Sequence, residues 1–295
     1  MLPVLPFPAF DPNAFVIPVP GLDWDLPIRW YALAYIAGIL AGWAIARRLV
    51  RADALWGGRP RPGVRDADDL VTWVTLGIIL GGRLGYVLVY DLPTYVADPV
   101  RILRLMDGGM AFHGGLVGVL VAVLAYSRLN RVSPVAVFDV MAVVVPIGLF
   151  FGRLANFVNG ELYGRPADVP WAMVFPEGYD RASGTWVFAA DAVARHPSQL
   201  YQAALEGLVL FALLVIAVGL GALRRPGLAL GLFGTGYGAA RIVGEVFRMP
   251  DPQLGFLFGP VTMGMVLSAP MVLIGGAVVA WALARPAYAA APARA

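Results

Sequence analysis

Cysteine is absent from this chain of 295 residues, and so is lysine, because every basic residue is arginine. Without cysteine the chain has no disulfide, no thiolate-bound metal and no cysteine nucleophile, so thiol chemistry would need a thiol from the substrate. Without lysine no Schiff base can form. The two histidines, His113 and His196, do not have the spacing of a zinc motif, so we expect no metal site.

Charged residues are also scarce. They make up 14% of the chain, whereas soluble domains carry about 25%. Hydrophobic residues make up 59%, and the mean hydropathy is +0.74, which indicates a protein that has the lipid bilayer as its solvent. The formal net charge is only +3 and no basic tract is dense, so the composition does not favour nucleic-acid binding.

Seven stretches approach the roughly 20 apolar residues that a helix needs to cross a bilayer. The sequence therefore predicts an all-α polytopic membrane protein with about seven transmembrane helices. We place these helices near 28–48, 70–90, 112–127, 135–154, 198–222, 228–247 and 261–284, and the third stretch is the weakest. The residues before the first helix contain no basic region, so we do not expect a cleavable signal peptide.

Arginines follow the first, third, fifth and seventh predicted helices, which places those four ends in the cytoplasm by the positive-inside rule. The N-terminus then lies outside and the C-terminus inside. We divide the chain into a periplasmic arm (1–27), helices one to four (28–155), a small periplasmic cap (156–197), helices five to seven (198–285) and a disordered cytoplasmic tail (286–295).

Charged side chains inside the predicted helices are the strongest functional indication, since each costs about 2.5–3.5 kcal/mol to insert. They are Arg83 in the second helix, Arg153 at the end of the fourth, and Arg241 and Glu245 in the sixth. In the sixth helix a polar stripe recurs at helical spacing. It consists of Tyr237, Arg241, Glu245 and Arg248.

The predicted topology gathers these side chains in the outer half of the bundle, near Tyr31, His113, His196 and Tyr201 at the outer ends of other helices. Guanidinium groups match phosphate oxygens, so we predict an anion-binding cavity that opens toward the outer leaflet. Structural roles remain open for several of these residues. Arg241 and Glu245 can form a plain ion pair, Arg83 can bind backbone carbonyls, and Tyr31 can belong to an interfacial aromatic belt.

Six segments of the chain, taken in order, are similar to motifs of one known family. They are 29–31, 81–86, 107–115, 152–165, 196–201 and 237–248 with Pro250 and Asp251. On these segments the chain resembles the prolipoprotein diacylglyceryl transferase family over nearly its full length, and 152–165 is the most specific of them. Ala155 stands where the family has glycine, and Gln202 stands where it often has glutamate, so no charged role is carried over to position 202.

The resemblance implies a reaction at the periplasmic face of the bacterial inner membrane. The sn-1,2-diacylglyceryl group of phosphatidylglycerol moves to the lipobox cysteine of a prolipoprotein signal peptide. A thioether forms and glycerol phosphate leaves. The implied partners are thus phosphatidylglycerol, the signal peptide and the bilayer, and no cofactor is implied.

For this reaction we assign Arg153 and Arg241 to a phosphate clamp that Asn156 assists. Glu245 either orients Arg241 or acts as a base, and His113 either acts as the base for the thiol or positions the headgroup. The remaining motif residues are assigned to substrate binding or to the shape of the site. They are Tyr31, Arg83, Glu161, Gly164, Tyr237 and Arg248.

Three other functions compete with this interpretation. A transporter or flippase of anionic lipid would also bury arginines, although it would need polar residues through the whole bilayer. An intramembrane hydrolase is less compatible, because the chain has no G-x-S-x-G elbow. A structural subunit would show no activity when isolated.

Overall fold

The computed structural model describes residues 5–18, 21, 25–105, 108–180, 182–250 and 255–289. Motif residues Asp107 and Asp251 lie outside the described residues, as do parts of the predicted arm and tail. Helices dominate the described part of the chain. They are α1 (Trp30–Arg51), α2 (Asp53–Trp56), α3 (Val64–Val89), α4 (Leu92–Ala97), α5 (Phe112–Leu129), α6 (Pro134–Val158), α7 (Ser198–Gly219), α8 (Leu228–Phe247) and α9 (Met263–Leu283).

Six of the described helices are long and apolar enough to cross a membrane, namely α1, α3, α5, α6, α7 and α9. This confirms a mostly helical, polytopic membrane protein. The weakest predicted stretch forms α5 and belongs to this group, whereas α8 forms at the predicted position but does not belong to it. The polar side chains of Tyr237, Arg241 and Glu245, together with several glycines, lower the hydropathy of α8.

Two helices extend beyond their predicted ends. Helix α3 begins at Val64 rather than near residue 70, because the Asp66 carboxylate accepts a hydrogen bond from the Gly63 N–H at 2.6 Å and caps a charged first turn. Helix α6 begins after the Ser133 cap and continues to Val158 rather than 154. Arg153 and Asn156 therefore lie on one regular helix, three residues apart and on neighbouring positions of its surface.

Glycines bring α3 and α5 into direct backbone contact. A Cβ atom on Gly81 would lie 2.4 Å from the Gly114 carbonyl oxygen, and one on Gly114 would lie 2.3 Å from the Gly81 oxygen. Side chains at either position would push the helices apart. At these two positions the glycines serve close packing of the helices.

The arginine-rich helix ends meet at one end of the bundle, which we call the basic end. Arg224 donates a hydrogen bond to the Ala54 carbonyl at 3.0 Å, and Arg225 donates one to the Leu283 carbonyl at 3.0 Å. Trp56 and Leu223 are fully buried in the same apolar cluster. The ends of α1, α7 and α9 are thus brought together at the basic end.

Short strands connect the N-terminal segment with the loop between α6 and α7. Strand β1 (Leu5–Pro6) pairs in parallel with β4 (Met173–Val174), which pairs in antiparallel fashion with β7 (Ala194–Arg195). Two hairpins flank this sheet. They are β2 (Asn13–Pro18) with β3 (Asp25–Arg29), and β5 (Gly178–Asp180) with β6 (Thr185–Val187). The fold thus contains small sheets that an all-α prediction omits.

Candidate active site

Arg153 and Arg241 are brought together by a carboxylate that is not among the predicted site residues. Glu206 on α7 is fully buried between α6 and α8. Its Oε2 atom accepts hydrogen bonds from Nε and Nη2 of Arg153 at 3.3 and 3.1 Å, and its Oε1 atom lies 3.6 Å from Nη1 of Arg241. The two predicted clamp arginines therefore share one buried anion.

Glu245 forms the predicted ion pair on α8. Its Oε1 atom lies 2.8 Å from Nη2 of Arg241 and 3.6 Å from Nη1 of Arg248. Its Oε2 atom accepts a hydrogen bond of 2.6 Å from the Thr262 hydroxyl just before α9. Gly264 on α9 leaves room for this carboxylate, because a Cβ atom there would lie 2.6 Å from the Glu245 carboxyl carbon. Both oxygens are thus engaged, which favours an orienting role over a base.

These residues form what we call the site cluster: Arg153, Glu206, Arg241, Glu245 and Arg248. The carboxylate side chains are 0% and 5% exposed, whereas the guanidinium side chains are 13–15% exposed. The cluster therefore combines enclosed anions with cations that remain partly accessible. The Tyr237 hydroxyl is close enough to interact electrostatically with four of the five. The arrangement suits a single bound anion.

Asn156 and Glu161 meet in the turn that follows α6. The Asn156 amide donates a hydrogen bond of 2.8 Å to the Glu161 carboxylate. In this turn Gly160 and Leu162 both have left-handed backbone conformations, with φ of 64° and 57°. A Cβ atom on Gly160 would lie 2.8 Å from a Pro176 ring carbon. Tyr31 on α1 interacts electrostatically with Glu161, so three predicted residues lie in one neighbourhood.

Gly164 joins the loop after α6 to the end of α8. Its N–H donates a hydrogen bond of 2.9 Å to the His196 carbonyl, and a Cβ atom would lie only 2.6 Å from both the His196 and the Phe247 carbonyl oxygens. The neighbouring Arg165 guanidinium donates to the backbone carbonyls of Arg248 and Glu245 at 2.9 and 3.0 Å. Glycine at 164 therefore permits the approach that holds this end of α8.

Arg83 is placed apart from the site cluster. Its guanidinium donates five hydrogen bonds to backbone carbonyls in the loop before α5, and it packs 5.1 Å from the centre of the Tyr95 ring. The acceptors are residues 101, 102, 104, 108 and 109. All five donors of an arginine are thereby used. Of the two roles open to Arg83, the contacts favour shaping of this loop.

His113 lies exposed in the first turn of α5, and in the described part of the chain its ring contacts Phe112. No contact joins it to the site cluster within the described residues. His196 is tied more closely, because its Nδ1 atom lies 3.1 Å from the Tyr201 hydroxyl, which accepts a hydrogen bond of 2.6 Å from Trp171. Burial lowers the pKa of His196 below its ordinary value.

Glu206 is not among the predicted site residues, although the sequence carries a signal for it. A carboxylate in the middle of the apolar stretch 198–222 is as costly as the arginines that were selected. Gln199, Gln202 and Glu206 also recur at helical spacing, and all three are fully buried. Among the described residues, no group of three or more histidine, aspartate or glutamate side chains is suited to a metal ion.

Comparisons with known proteins show the family of the chain. A sequence model of a family described as prolipoprotein diacylglyceryl transferase matches residues 21–281. The chain is 53% identical to the phosphatidylglycerol–prolipoprotein diacylglyceryl transferase of Methylocella silvestris over 284 residues, which cover 96% of this chain and 98% of the relative. It is 50% identical to the protein of the same name from Rhizobium leguminosarum and 52% identical to that from Rhodopseudomonas palustris, each across 97% of this chain and 95% of the relative.

Proposed function

Because the chain belongs to the prolipoprotein diacylglyceryl transferase family, we propose that it transfers the diacylglyceryl group of phosphatidylglycerol to the lipobox cysteine of a prolipoprotein. The observation that carries the proposal is the site cluster. It combines partly exposed guanidinium groups and buried carboxylates inside an apolar helical bundle. That environment fits the phosphodiester of one anionic lipid.

The reaction breaks the bond between a glycerol carbon and the phosphate ester oxygen, and it forms a bond between that carbon and the cysteine sulfur. The electron pair of the broken bond stays on the departing glycerol phosphate, and the thiol proton passes to a base. Fixed guanidinium groups in a site that excludes water stabilise the growing phosphate charge. A thiolate attacks far better than a thiol, whose ordinary pKa is about 8.5.

Arg153 and Arg241 hold the phosphate in this proposal, and Glu245 orients Arg241. Asn156, Glu161 and Tyr31 bind the glycerol part of the headgroup or shape its pocket. Three further residues complete the lining of this pocket: Gly164, Tyr237 and Arg248. His113 is the base for the thiol, and its exposed position on α5 leaves it accessible to an incoming peptide.

The same proposal includes the topology. The chain crosses the bacterial inner membrane seven times, with α8 as a seventh crossing beside the six apolar helices. The N-terminus and the cap face the periplasm, and the basic end and the tail face the cytoplasm. The pairing of β1 with β4 supports this arrangement, because it joins the arm and the cap on one side of the bundle.

A lipid transporter is the alternative, and the basic end argues against it. A transport path would need to continue past the site cluster to the other end of the bundle. There the buried apolar cluster around Trp56 and Leu223 closes the space between the helices, together with the enclosed Arg59–Asp139 pair. Such packing suits a closed chamber better than a channel.

The test combines purified protein, phosphatidylglycerol and a lipobox peptide, with the peptide mass as readout. We expect the mass to rise by one diacylglyceryl unit, and a peptide with serine in place of cysteine should remain unmodified. Labelled lipid that crosses vesicles containing the protein, without any thioether product, would instead support the transporter.

A further inference from the structure

We propose that Glu206 is a positioning residue, which holds Arg153 and Arg241 so that both guanidinium groups direct their remaining donors at one phosphate. The proposal rests on the proposed function, because it assigns a role within the same site. It adds a buried carboxylate and a neighbouring amide on α7 to a set of residues that otherwise comes from α1, α3, α5, α6, the loop after α6, and α8 with the residue that follows it.

The donors that each arginine retains support this role. Arg153 uses Nε and Nη2 on one oxygen of Glu206, and its Nη1 edge is left for another acceptor. Arg241 uses Nη2 on Glu245, while its buried Nη1 atom has no hydrogen-bond partner among the described residues. The 3.6 Å between this atom and Glu206 permits attraction but is too long for a hydrogen bond. Donor capacity therefore remains on both arginines.

The backbone of α7 is adapted to place the carboxylate there. Residues Ala203–Val209 form a π-helical turn within the helix, a rare geometry that is frequent at functional sites. Gly207 in this turn packs against α6 so closely that a Cβ atom would lie 2.7 Å from the Phe150 Cβ. The close approach brings Glu206 within reach of Arg153.

Gln202 gives an independent indication that the site is completed by a ligand. The residue is fully buried one turn before Glu206, yet neither polar atom of its amide has a hydrogen-bond partner among the described residues. Its Nε2 atom lies beside Gly244 of α8, 3.5 Å from where a Cβ atom would be, and Glu206 Oε1 lies 3.6 Å from the same point. Buried amides without partners are rare in native proteins, and a headgroup oxygen or a bound water would satisfy this one.

A positioning role for Glu206 and a purely electrostatic role predict different results when its charge is removed. If Glu206 only lowered the charge of the cluster, its removal would strengthen the binding of an anionic lipid and leave the reaction intact. If Glu206 positions the arginines, its removal leaves binding nearly unchanged and impairs the step in which phosphate charge develops. The two roles therefore differ in the balance between KM and kcat.

The experiment measures thioether formation with phosphatidylglycerol and a lipobox peptide for the wild type, Glu206→Gln and Glu206→Asp. For Glu206→Gln we expect kcat to fall about 100-fold while KM for the lipid changes less than about threefold. Glu206→Asp, whose shorter side chain does not reach both arginines, should lose about tenfold in kcat. Asp139→Asn is the matched control, because it removes a buried carboxylate at the basic end and should keep its kcat per folded molecule.

A kcat within about threefold of the wild type in folded Glu206→Gln would overturn the proposal. If Glu206→Gln does not fold, a wild-type kcat in Glu206→Asp overturns it instead. A wild type that forms no thioether at all would refute the proposed function itself, which is a different outcome from the failure of Glu206 as a positioning residue.

Discussion

Among the described residues, two buried carboxylate–guanidinium groupings lie at opposite ends of the bundle. At the basic end, Asp139 lies 2.8 Å from Arg59 and also accepts hydrogen bonds from the Gly227 and Leu230 N–H groups at 2.9 and 3.0 Å. At the other end, Glu206 is equally buried, but the ion pairs that it forms within the described residues come from arginine side chains alone.

The exposure of the cations separates the two groupings more clearly than the burial of the anions. The side chain of Arg59 is 3% exposed, whereas those of Arg153 and Arg241 are 14% and 15% exposed. The Arg59–Asp139 pair is therefore enclosed, and backbone N–H groups complete the contacts of its carboxylate. The pair joins α6 to the start of α8. The site cluster keeps cationic surface open, which a structural ion pair does not need.

The comparison predicts its largest effect at the basic end, on stability. Asp139→Asn leaves the Arg59 guanidinium buried without its anion, which should cost about 3–5 kcal/mol of folding free energy. Thermal unfolding in detergent measures the loss, and activity per folded molecule should stay within about twofold. A stable variant that loses activity would contradict the separation of the two ends.

At the site cluster the predicted effect is on rate. Arg153→Lys and Arg241→Lys each replace a fork of donors with a point charge, so each should slow thioether formation by about 100–1,000-fold, or about 2.7–4 kcal/mol of transition-state stabilisation. The initial rate with saturating phosphatidylglycerol provides the measurement. Arg224→Lys at the basic end is the control and should react at the wild-type rate.

Gly164→Ala sharpens the comparison by disturbing the backbone that holds the site end of α8. The added methyl would meet the His196 and Phe247 carbonyl oxygens at 2.6 Å, so we expect a loss of about 1–3 kcal/mol in stability together with lower activity. Thermal unfolding checks the first and the peptide mass assay the second. Gly178→Ala, where a Cβ atom would meet nothing within 4 Å, should behave like the wild type.

The smallest effect concerns the pH dependence of stability at His196. Burial lowers the pKa of this imidazole below the ordinary value of about 6.5, so the unfolded chain takes up the proton more readily than the folded protein. The neutral His196 ring therefore makes its full contribution to folding stability above about pH 6.5. This contribution is lost as the pH falls toward the pKa that the ring has in the folded protein. Between pH 8 and pH 5, the unfolding temperature of His196→Gln should fall less on acidification than that of the wild type. The same dependence of unfolding temperature on pH in both proteins would exclude the effect.

Much of the fold follows from the sequence because apolar length and helical spacing are local properties. The Arg241–Glu245 pair is predictable for the same reason, since side chains four residues apart on one helix lie close together. Arg153 and Glu206 are 53 residues apart and meet through the π-helical turn of α7, which no periodicity in the sequence indicates. The five carbonyls around Arg83 belong to an irregular loop, so their convergence was equally hidden.

A double-variant cycle on Arg153 and Arg241 tests most directly whether the two guanidinium groups act on one phosphate. The rate of thioether formation is measured for the wild type, Arg153→Lys, Arg241→Lys and the double variant. Residues that act as a unit are strongly non-additive, so the double variant should be no more than about tenfold slower than the slower single variant. Losses that multiply in full would contradict a shared clamp.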